Sequence, residues 1–287
     1  LEPRLSARYL LPMNSSLKFS FGRTRQYLQM LSNNTAVAPS DIWKLSDTYI
    51  KPQVADQISL GWFQNRGGII DLSVEGYYKM IHTATEFQNG ARLFRNQHIE
   101  TEVLNARGKA YGIELMAKKT TGRLNGWVSY TYARSLMKTS SNFELEKINN
   151  NSWYRSNFDK PHAFNLITNY KFNRRVNISF NTTWSTGRPI TLPFVKFNAA
   201  DGARLEYSLR NGFRVPAYFR SDLALNLEGN HKIKKLAHSS WTLALYNLTG
   251  RRNAYSVFFR SEGNLVKGYK LSIFGQAIPT LTWNFRI

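Results

Sequence analysis

The sequence contains no cysteine, which removes disulfide frameworks and cysteine metal sites and fits a Gram-negative outer membrane as well as it fits a cytosol. No stretch approaches the ~18 consecutive apolar residues that a membrane-spanning helix needs. The mean hydropathy of −0.42 would ordinarily suggest a soluble protein. Barrels evade that test, because alternate residues point into the lumen and dilute the average. The N-terminus, LEPRLSARYLLP, has no basic-then-apolar leader, so either a leader was cleaved or the true beginning lies upstream. No G-x-S-x-G elbow, H-E-x-x-H motif or phosphate-cradling glycine loop is present, so the chain reads as a non-enzyme that needs no cofactor. His82, His98, His231 and His238 are dispersed without metal-ligand spacing.

Negative charge is also scarce. Asp and Glu number 18 against 39 Lys and Arg, a formal charge of +21. Such a surplus passes the first screen for nucleic-acid binding. The basic residues, however, gather at apparent turns, as in Asn173-Arg174-Arg175 and His231-Lys232-Ile233-Lys234-Lys235, with no RNA-binding aromatic signature and no basic helix. Nucleic acid is therefore set aside. The charge instead meets lipopolysaccharide phosphates, meets an anionic ligand, or is balanced by another part of the protein.

What is abundant is alternation. Phe164, Leu166, Thr168, Tyr170 and Phe172 share one side of a period-2 pattern with Asn165, Asn169 and Lys171 opposite, so the segment is a half-buried strand. The pattern restarts after Asn173-Arg174-Arg175 with Val176, Ile178, Phe180, Thr182 and Trp184 facing Asn177, Ser179, Asn181 and Thr183. The hairpin has one apolar and one wet face, as a wall between lipid and water requires. The rhythm extends along the chain through strands at Glu2–Leu11, Ser16–Tyr27, Gln53–Gln64, Ile69–Ile81, Lys109–Lys119, Leu124–Leu136, Pro216–Glu228, Ser239–Thr249 and a last strand ending at Ile287. Short turns alternate with long connections at Leu28–Pro52, His82–Arg107, Met137–Asn157 and Ile190–Val215, and a shorter loop lies around Ser261–Lys267. Turns then lie at one end of the wall and loops at the other. Trp62, Tyr77, Tyr78, Tyr132 and Trp184 suit aromatic girdles, with a sandwich core as their alternative. Asp159-Lys160-Pro161-His162 offers an acid and an imidazole at a strand start; both read as structural, with Pro161 at a strand entrance where a sheet tolerates it.

The fold class expected is all-β, a transmembrane antiparallel barrel with eleven strands present. Closing eleven strands would set the first and last parallel, whereas single-chain bacterial barrels have even numbers. Residues 1–287 are therefore expected to be the C-terminal half of a 22-stranded barrel.

The segments AYGIEL, KKTTGRLNGWVSYTYARS, NFDKPHAFNLITNYKFNRRVNISFNTTWSTGRPITLP, RNGFRVPAYFRSDLALNL, SSWTLALYNLTGRRNAYSVFF and TLTWNFRI resemble, in order, the C-terminal barrel region of TonB-dependent receptors. More narrowly they are similar to Bacteroidota receptors that carry an N-terminal carboxypeptidase-regulatory-like domain. The resemblance implies active import of a scarce metal chelate, glycan or peptide across the outer membrane. Its implied partners are the N-terminal barrel half and plug, the TonB-ExbB-ExbD complex acting through that plug, the barrel-assembly machinery and outer-membrane lipid including lipopolysaccharide; a surface lipoprotein is left open. Trp283, Phe285 and Ile287 resemble the terminal assembly signal, although many barrels end in an aromatic residue. Trp43, Tyr49, Phe94, Trp153, Tyr154, Phe194, Tyr207 and Phe213 in the long connections are candidates to stack on a ligand, with loop packing as the alternative for each. A barrel without import activity, or a soluble β-rich surface protein, is the competing reading.

Overall fold

A computed structural model describes residues 1–31, 42–91, 96, 98–199, 202–229, 238–262 and 265–286. Eleven strands follow one another through a single sheet: β1 (Arg4–Leu11), β2 (Ser15–Gln26), β3 (Gln53–Arg66), β4 (Ile70–Phe87), β5 (Val103–Lys119), β6 (Leu124–Thr139), β7 (His162–Lys171), β8 (Val176–Ser185), β9 (Tyr218–Glu228), β10 (His238–Tyr246) and β11 (Ile278–Arg286). Each pairs antiparallel with its neighbour in sequence, and the two-residue strand Tyr154–Arg155 adds to the end of β6. The eleven expected strands are those observed. β1 and β11 form the edges and run in the same direction.

The register turns the alternation of single strands into two chemically distinct faces. One row of partners runs Tyr9, Leu17, Trp62, Val74, Leu115, Tyr130, Phe164, Trp184, Phe219 across nine strands. The adjacent row, on the opposite face, runs Arg8, Lys18, Gly61, Glu75, Glu114, Thr131, Ala163, Ser185, Tyr218. On the polar face side chains satisfy one another: Asn169 Nδ2 donates to Asn125 Oδ1 at 3.4 Å, Ser179 Oγ to Asn169 Oδ1 at 2.7 Å, Asn226 Nδ2 to Asn177 Oδ1 at 2.8 Å and Thr242 Oγ1 to Asn226 Oδ1 at 2.8 Å. On the apolar face Leu60, Ile113 and Leu243 remain 58, 51 and 53 % exposed. A continuous apolar face of this size, uncovered by protein, requires a non-aqueous neighbour.

Strand ends are staggered in one sense. Within the single row just described, Leu17 lies two residues from the start of β2 at Ser15, whereas Phe219, seven strands away, lies nine residues from the end of β9 at Glu228. A drift of about one residue per strand, ~3.4 Å along against ~4.8 Å across, corresponds to a strand tilt of ~35°, in the range of membrane barrels. Level lines on the wall therefore follow distance from the turns, not register. Tyr78, Tyr111, Tyr132 and Trp184 each lie eight residues from the turn end of their strand, and they form a band: Tyr78 stacks on Tyr111 at 6.4 Å, and His162 lies between Tyr132 at 5.4 Å and Trp184 at 6.3 Å. Trp62, Tyr170, Trp241 and Trp283 lie nearer the turns on the same face, with Trp241 stacked on Trp283 at 5.7 Å. Of the girdle residues expected, Tyr77 is a correction: its partners are Ser59 and Gly112, so it faces the polar side.

The short turns fall at residues 12–14, 67–69, 120–123 and 172–175; the basic turn expected at His231–Lys235 lies outside the described residues. At the opposite end the strands run further than alternation suggested. β4 continues to Phe87, β5 begins at Val103 and β6 ends at Thr139, because a bulge between Ile81 and Ala84 breaks the period without ending the pairing. The long connections carry their own ribbons: Leu28–Leu31 with Ile42–Leu45, Pro189–Ile190 with Phe213–Arg214, Pro193–Ala199 with Gly202–Tyr207, and Ser256–Glu262 with Leu265–Leu271. The loop expected around Ser261–Lys267 is thus the tip of a ribbon within a longer connection.

Candidate ligand site at the loop-side mouth

Two acids, one fully buried and one half-buried, organise the connections. Asp159, whose side chain is fully buried, accepts from Arg134 Nε at 3.0 Å, from the Ser135 amide at 2.8 Å and from Arg214, which also donates to the Asp159 carbonyl. One carboxylate thereby joins β6, the entry to β7 and the Phe213–Arg214 ribbon. Arg214 also reaches the Gly187 carbonyl at 2.9 Å. The ribbon approaches so closely here that a Cβ on Gly187 would lie 1.7 Å from the Val215 carbonyl oxygen, so only glycine fits. His162 makes no acid-base pair with Asp159; its Nδ1 lies 2.8 Å from the Tyr130 hydroxyl on the outward face.

Glu86, on the polar face at the end of β4, is the second. Arg210 Nη1 donates to Glu86 Oε1 at 2.9 Å and the Tyr154 hydroxyl to Oε2 at 2.7 Å. Arg210 Nη2 also donates to the Phe87 carbonyl and to Asn89 Oδ1. Asn149 pairs reciprocally with the Arg210 backbone: the Arg210 amide donates to Oδ1 at 2.8 Å and Nδ2 donates to the carbonyl at 3.1 Å. Burial, reinforced by the negative charge of Glu86, pushes the Tyr154 phenol far above its usual range and keeps it a donor. Beside it Asn149, Asn150 and Asn151 all take left-handed φ angles of 48, 54 and 55°, which asparagine tolerates better than other side-chain-bearing residues. Further along the mouth, Leu31, Ile50, Phe87 and Ile99 form an apolar cluster. Lys44 pairs there with Glu100 and with Asp47.

Above Glu86 and Arg210 opens a cavity of about 840 Å³, lined among others by Asn89, Asn150, Asn157, Arg188, Thr191, Glu206, Tyr207 and Ser208. Amides, hydroxyls, a guanidinium and an aromatic face can hold a polar, hydrogen-bonding solute. No group of three or more His, Cys, Asp or Glu able to hold a metal ion exists among the described residues.

The structure disperses the aromatic candidates. Tyr207, 55 % exposed, lines the cavity directly. Tyr154 is buried beneath it as a support for Glu86. Phe194 and Phe213 meet edge to face at 5.7 Å outside the lining. Trp43 and Tyr49 stand exposed on the first connection. Trp153 covers Lys109 on the outer side, the ammonium 4.4 Å from its ring. Phe94 lies outside the described residues, as does Ile287, while Trp283 and Phe285 pack together at 5.1 Å on β11. The acids and arginines that organise the mouth, Glu86, Arg134, Arg210 and Arg214, carried no motif in the sequence.

The model of the TonB-dependent receptor-like β-barrel family matches residues 1–248. The chain belongs to the TonB-dependent receptor β-barrel family. Among solved structures, the ferric-catecholate import receptor Fiu of E. coli K12 aligns over 98 % of this chain and 34 % of its own, with a TM-score of 0.60 and 15 % identity. The ferripyoverdine receptor of the outer membrane of Pseudomonas aeruginosa aligns over 99 % and 32 %, with a TM-score of 0.56 and 13 % identity. At these identities the likeness is one of fold. The chain spans about a third of the length of either receptor. No curated protein sequence matches it. The family's outer-membrane setting supplies the non-aqueous neighbour that the apolar face requires, and no helix among the described residues is long and apolar enough to cross a membrane.

Proposed function

We propose that this chain is the C-terminal half of the barrel wall of an outer-membrane, TonB-dependent importer of the Bacteroidota type with a regulatory-like N-terminal domain. Because β1 and β11 run in the same direction, any set of strands that closes the wall antiparallel must be odd in number, and eleven more give an even barrel of 22. The rest of the protein supplies those strands, the plug and the segment that engages TonB-ExbB-ExbD. Trp283 and Phe285, which alternate along β11, are the residues the barrel-assembly machinery would read. A surface lipoprotein could cover the mouth.

The observation that carries this reading is the two-faced sheet whose long connections lie at one rim, four of them contributing to the lining of a polar cavity. A ligand entering from the loop side meets Tyr207, Arg188 and the amides of Asn150 and Asn157 before reaching the polar wall. The similar receptors named above bind or import iron chelates, which makes a metal chelate one candidate cargo; the hydrogen-bonding lining equally suits a glycan or a peptide. Aromatic faces at Trp43, Tyr49, Phe194 and Phe213 extend the contact surface where the ligand is large.

The test uses the full-length protein in its host. It should fractionate with the outer membrane, need detergent for extraction, and support growth on its scarce nutrient only while TonB is intact. Growth that persists without TonB would indicate a barrel with no import activity. A protein monodisperse in buffer without amphiphile would indicate the soluble alternative.

A further inference from the structure

Glycine follows asparagine at three places in the chain, Asn89–Gly90, Asn125–Gly126 and Asn211–Gly212. In such a pair the glycine amide nitrogen can attack the asparagine side-chain carbonyl carbon, because no Cβ on the following residue obstructs the approach. The fold treats the three pairs differently.

Gly126 lies inside β6, paired with Lys119 on one side and Thr168 on the other, and its backbone passes so close to Ile167 that a Cβ would lie 2.0 Å from that carbonyl oxygen. Asn211 is 5 % exposed. Its Nδ2 donates to the Arg155 carbonyl and to Asn157 Oδ1, both at 2.8 Å, and the Gly212 amide donates to the Leu209 carbonyl at 3.0 Å. Attack at either pair requires the structure to open first.

Asn89 and Gly90 form the exposed corner of a turn in which the Ala91 amide donates to the Gln88 carbonyl at 3.3 Å. Phe87 and Ala91, on either side, are held by the apolar cluster of Leu31, Ile50 and Ile99. Gly90 has φ +79°, and a Cβ there would meet nothing within 4 Å. The Gly90 amide and Asn89 Nδ2 donate to no acceptor among the described residues, so nucleophile and leaving group are both free. Asn89 Oδ1 alone is held, by Arg210 Nη2 at 3.0 Å, while Nη1 of the same guanidinium is fixed on Glu86 at 2.9 Å.

That hydrogen bond falls on the atom that gains charge. Attack of the Gly90 nitrogen on Asn89 Cγ forms a C–N bond and places negative charge on Oδ1, where a guanidinium donor stabilises it. When the carbonyl re-forms, the Cγ–Nδ2 bond breaks and Nδ2 leaves as ammonia, carrying the proton given up by the Gly90 amide. Water then opens the five-membered imide at either carbonyl, giving aspartate or a β-linked aspartate whose backbone runs through the side chain. Solvent water is the one co-reactant.

We propose that Asn89–Gly90 is a self-modification site, converted spontaneously to aspartate and β-aspartate with Arg210 stabilising the oxyanion of the intermediate. The lining of the mouth cavity carries three cations, Lys147, Arg188 and Arg210, against two carboxylates, Glu86 and Glu206. The product adds a third carboxylate, which cancels the surplus and sets a second acid on Arg210 in competition with Glu86. Older molecules therefore carry a neutral lining. The chemistry depends on the turn alone, whereas its consequence for uptake rests on the reading of the cavity as the ligand site.

The test incubates full-length protein in mild detergent and heavy-oxygen water and follows the peptides that contain each Asn-Gly pair by mass spectrometry; the heavy oxygen marks conversion that occurred during the incubation. Asn89 should convert at least about tenfold faster than Asn125 or Asn211, which react only after local opening. In denaturant the three rates should converge. Conversion at Asn89 should accelerate as pH rises, because the attacking nitrogen must lose its proton. Arg210→Gln, checked for folding by resistance to heat, should slow Asn89 by about three- to tenfold, less than a buried oxyanion donor is worth because this turn is wet. Tyr154→Phe loosens the same network but leaves the guanidinium on Asn89, so it should not slow the conversion. Asn89 converting no faster than the other two in the folded protein overturns the proposal. Unchanged or faster conversion in Arg210→Gln, or equal slowing by Tyr154→Phe, overturns it too. A protein that converts at Asn89 as expected but imports nothing supports the proposal and overturns the ligand-site reading instead.

Discussion

Replacing Asp159 should loosen one side of the mouth without unfolding the wall. Its carboxylate is completely buried and holds two guanidinium groups and the Ser135 amide. Breaking a buried ion pair by deleting one partner costs about 3–5 kcal/mol. Arg134 and Arg214 retain 26 and 20 % of their side-chain exposure, so water recovers part of the loss and Asp159→Ala should cost about 3 kcal/mol, the low end of that range. Asp159→Asn keeps an acceptor for the Ser135 amide and should cost about 1 kcal/mol less. Because the carboxylate joins β6 to the Phe213–Arg214 ribbon, the loss should appear as local opening. The Val215 amide, which donates to the Arg188 carbonyl at 3.0 Å, and the Ser156 amide, which donates to Ser135 at 2.9 Å, report it by hydrogen exchange of the full-length protein in detergent. Roughly hundredfold faster exchange at both is expected for the alanine variant and roughly thirtyfold for asparagine. Amides of β10, which lies three strands from β7, should not change. Acceleration below threefold at Val215, or equal acceleration in β10, would refute the reasoning.

Gly187→Ala should disturb the same ribbon through backbone collision, so its exchange at Val215 should match or exceed that of Asp159→Ala and should gain little from combining the two substitutions. Gly126 has φ +147°, and a Cβ there would lie 2.0 Å from the Ile167 carbonyl oxygen. Gly126→Ala should therefore cost at least about 3 kcal/mol at the β6–β7 pairing, read as a lower yield of heat-resistant barrel. Tyr154→Phe should cost about 1 kcal/mol by removing one of the two supports of Glu86. The folded phenol is raised above its unfolded value near 10, so its contribution is complete below pH 10 and disappears as pH rises through the folded value. Exchange at residues 149–154 should accelerate in that alkaline window in wild type, and the phenylalanine variant should show no such transition. At the other end, the Lys44 ammonium holds the Glu100 carboxyl below the usual glutamate range. Its contribution is present above that range and is lost as pH falls through the depressed folded value, so acid should loosen the Ile42–Leu45 ribbon in wild type, and Glu100→Gln should show a smaller acid step, that of the remaining Lys44–Asp47 pair.

The wall was legible because each of its residues obeys a local rule. In β7 and β8 alternate positions meet lipid or water regardless of what the rest of the chain does, so Phe164 to Trp184 declares two strands by itself. Tyr77 escaped because neighbouring tyrosines at 77 and 78 occupy opposite faces, and composition cannot say which is outward without register. The loop-side ends are illegible for a related reason: beyond the membrane both faces are wet, so His82–Phe87 and Val103–Arg107 lose the contrast that identifies a strand although the hydrogen-bond ladder continues. The mouth was the least legible part. Asp159 stands out in the sequence beside Pro161 and His162, but Arg134 and Arg214 are separated from it by 25 and 55 residues, and Glu86 meets Arg210 across 124. Nothing in the spacing of such residues announces their convergence.

The same face assignments decide where the +21 charge resides. On the polar face the described side chains include seven cations, Arg4, Arg8, Lys18, Lys79, Lys118, Lys171 and Arg220, against six carboxylates, Asp71, Glu75, Glu86, Glu114, Asp222 and Glu228. Several are paired locally, as Arg220 is with Asp222 at 3.0 Å. The interior wall is thus close to neutral and supplies no large field to draw an anion inward. The surplus lies at the loop-side ends of the outward face, at Arg25, Arg107, Lys109 and Lys138, at the turns around Arg123, Arg174 and Arg175, and in the connections. Each of these positions borders a membrane surface or the mouth. Selection of a ligand by charge, where it occurs, must then be made by the connections before the solute reaches the wall, where Arg188 and Glu206 line the cavity with opposite charges.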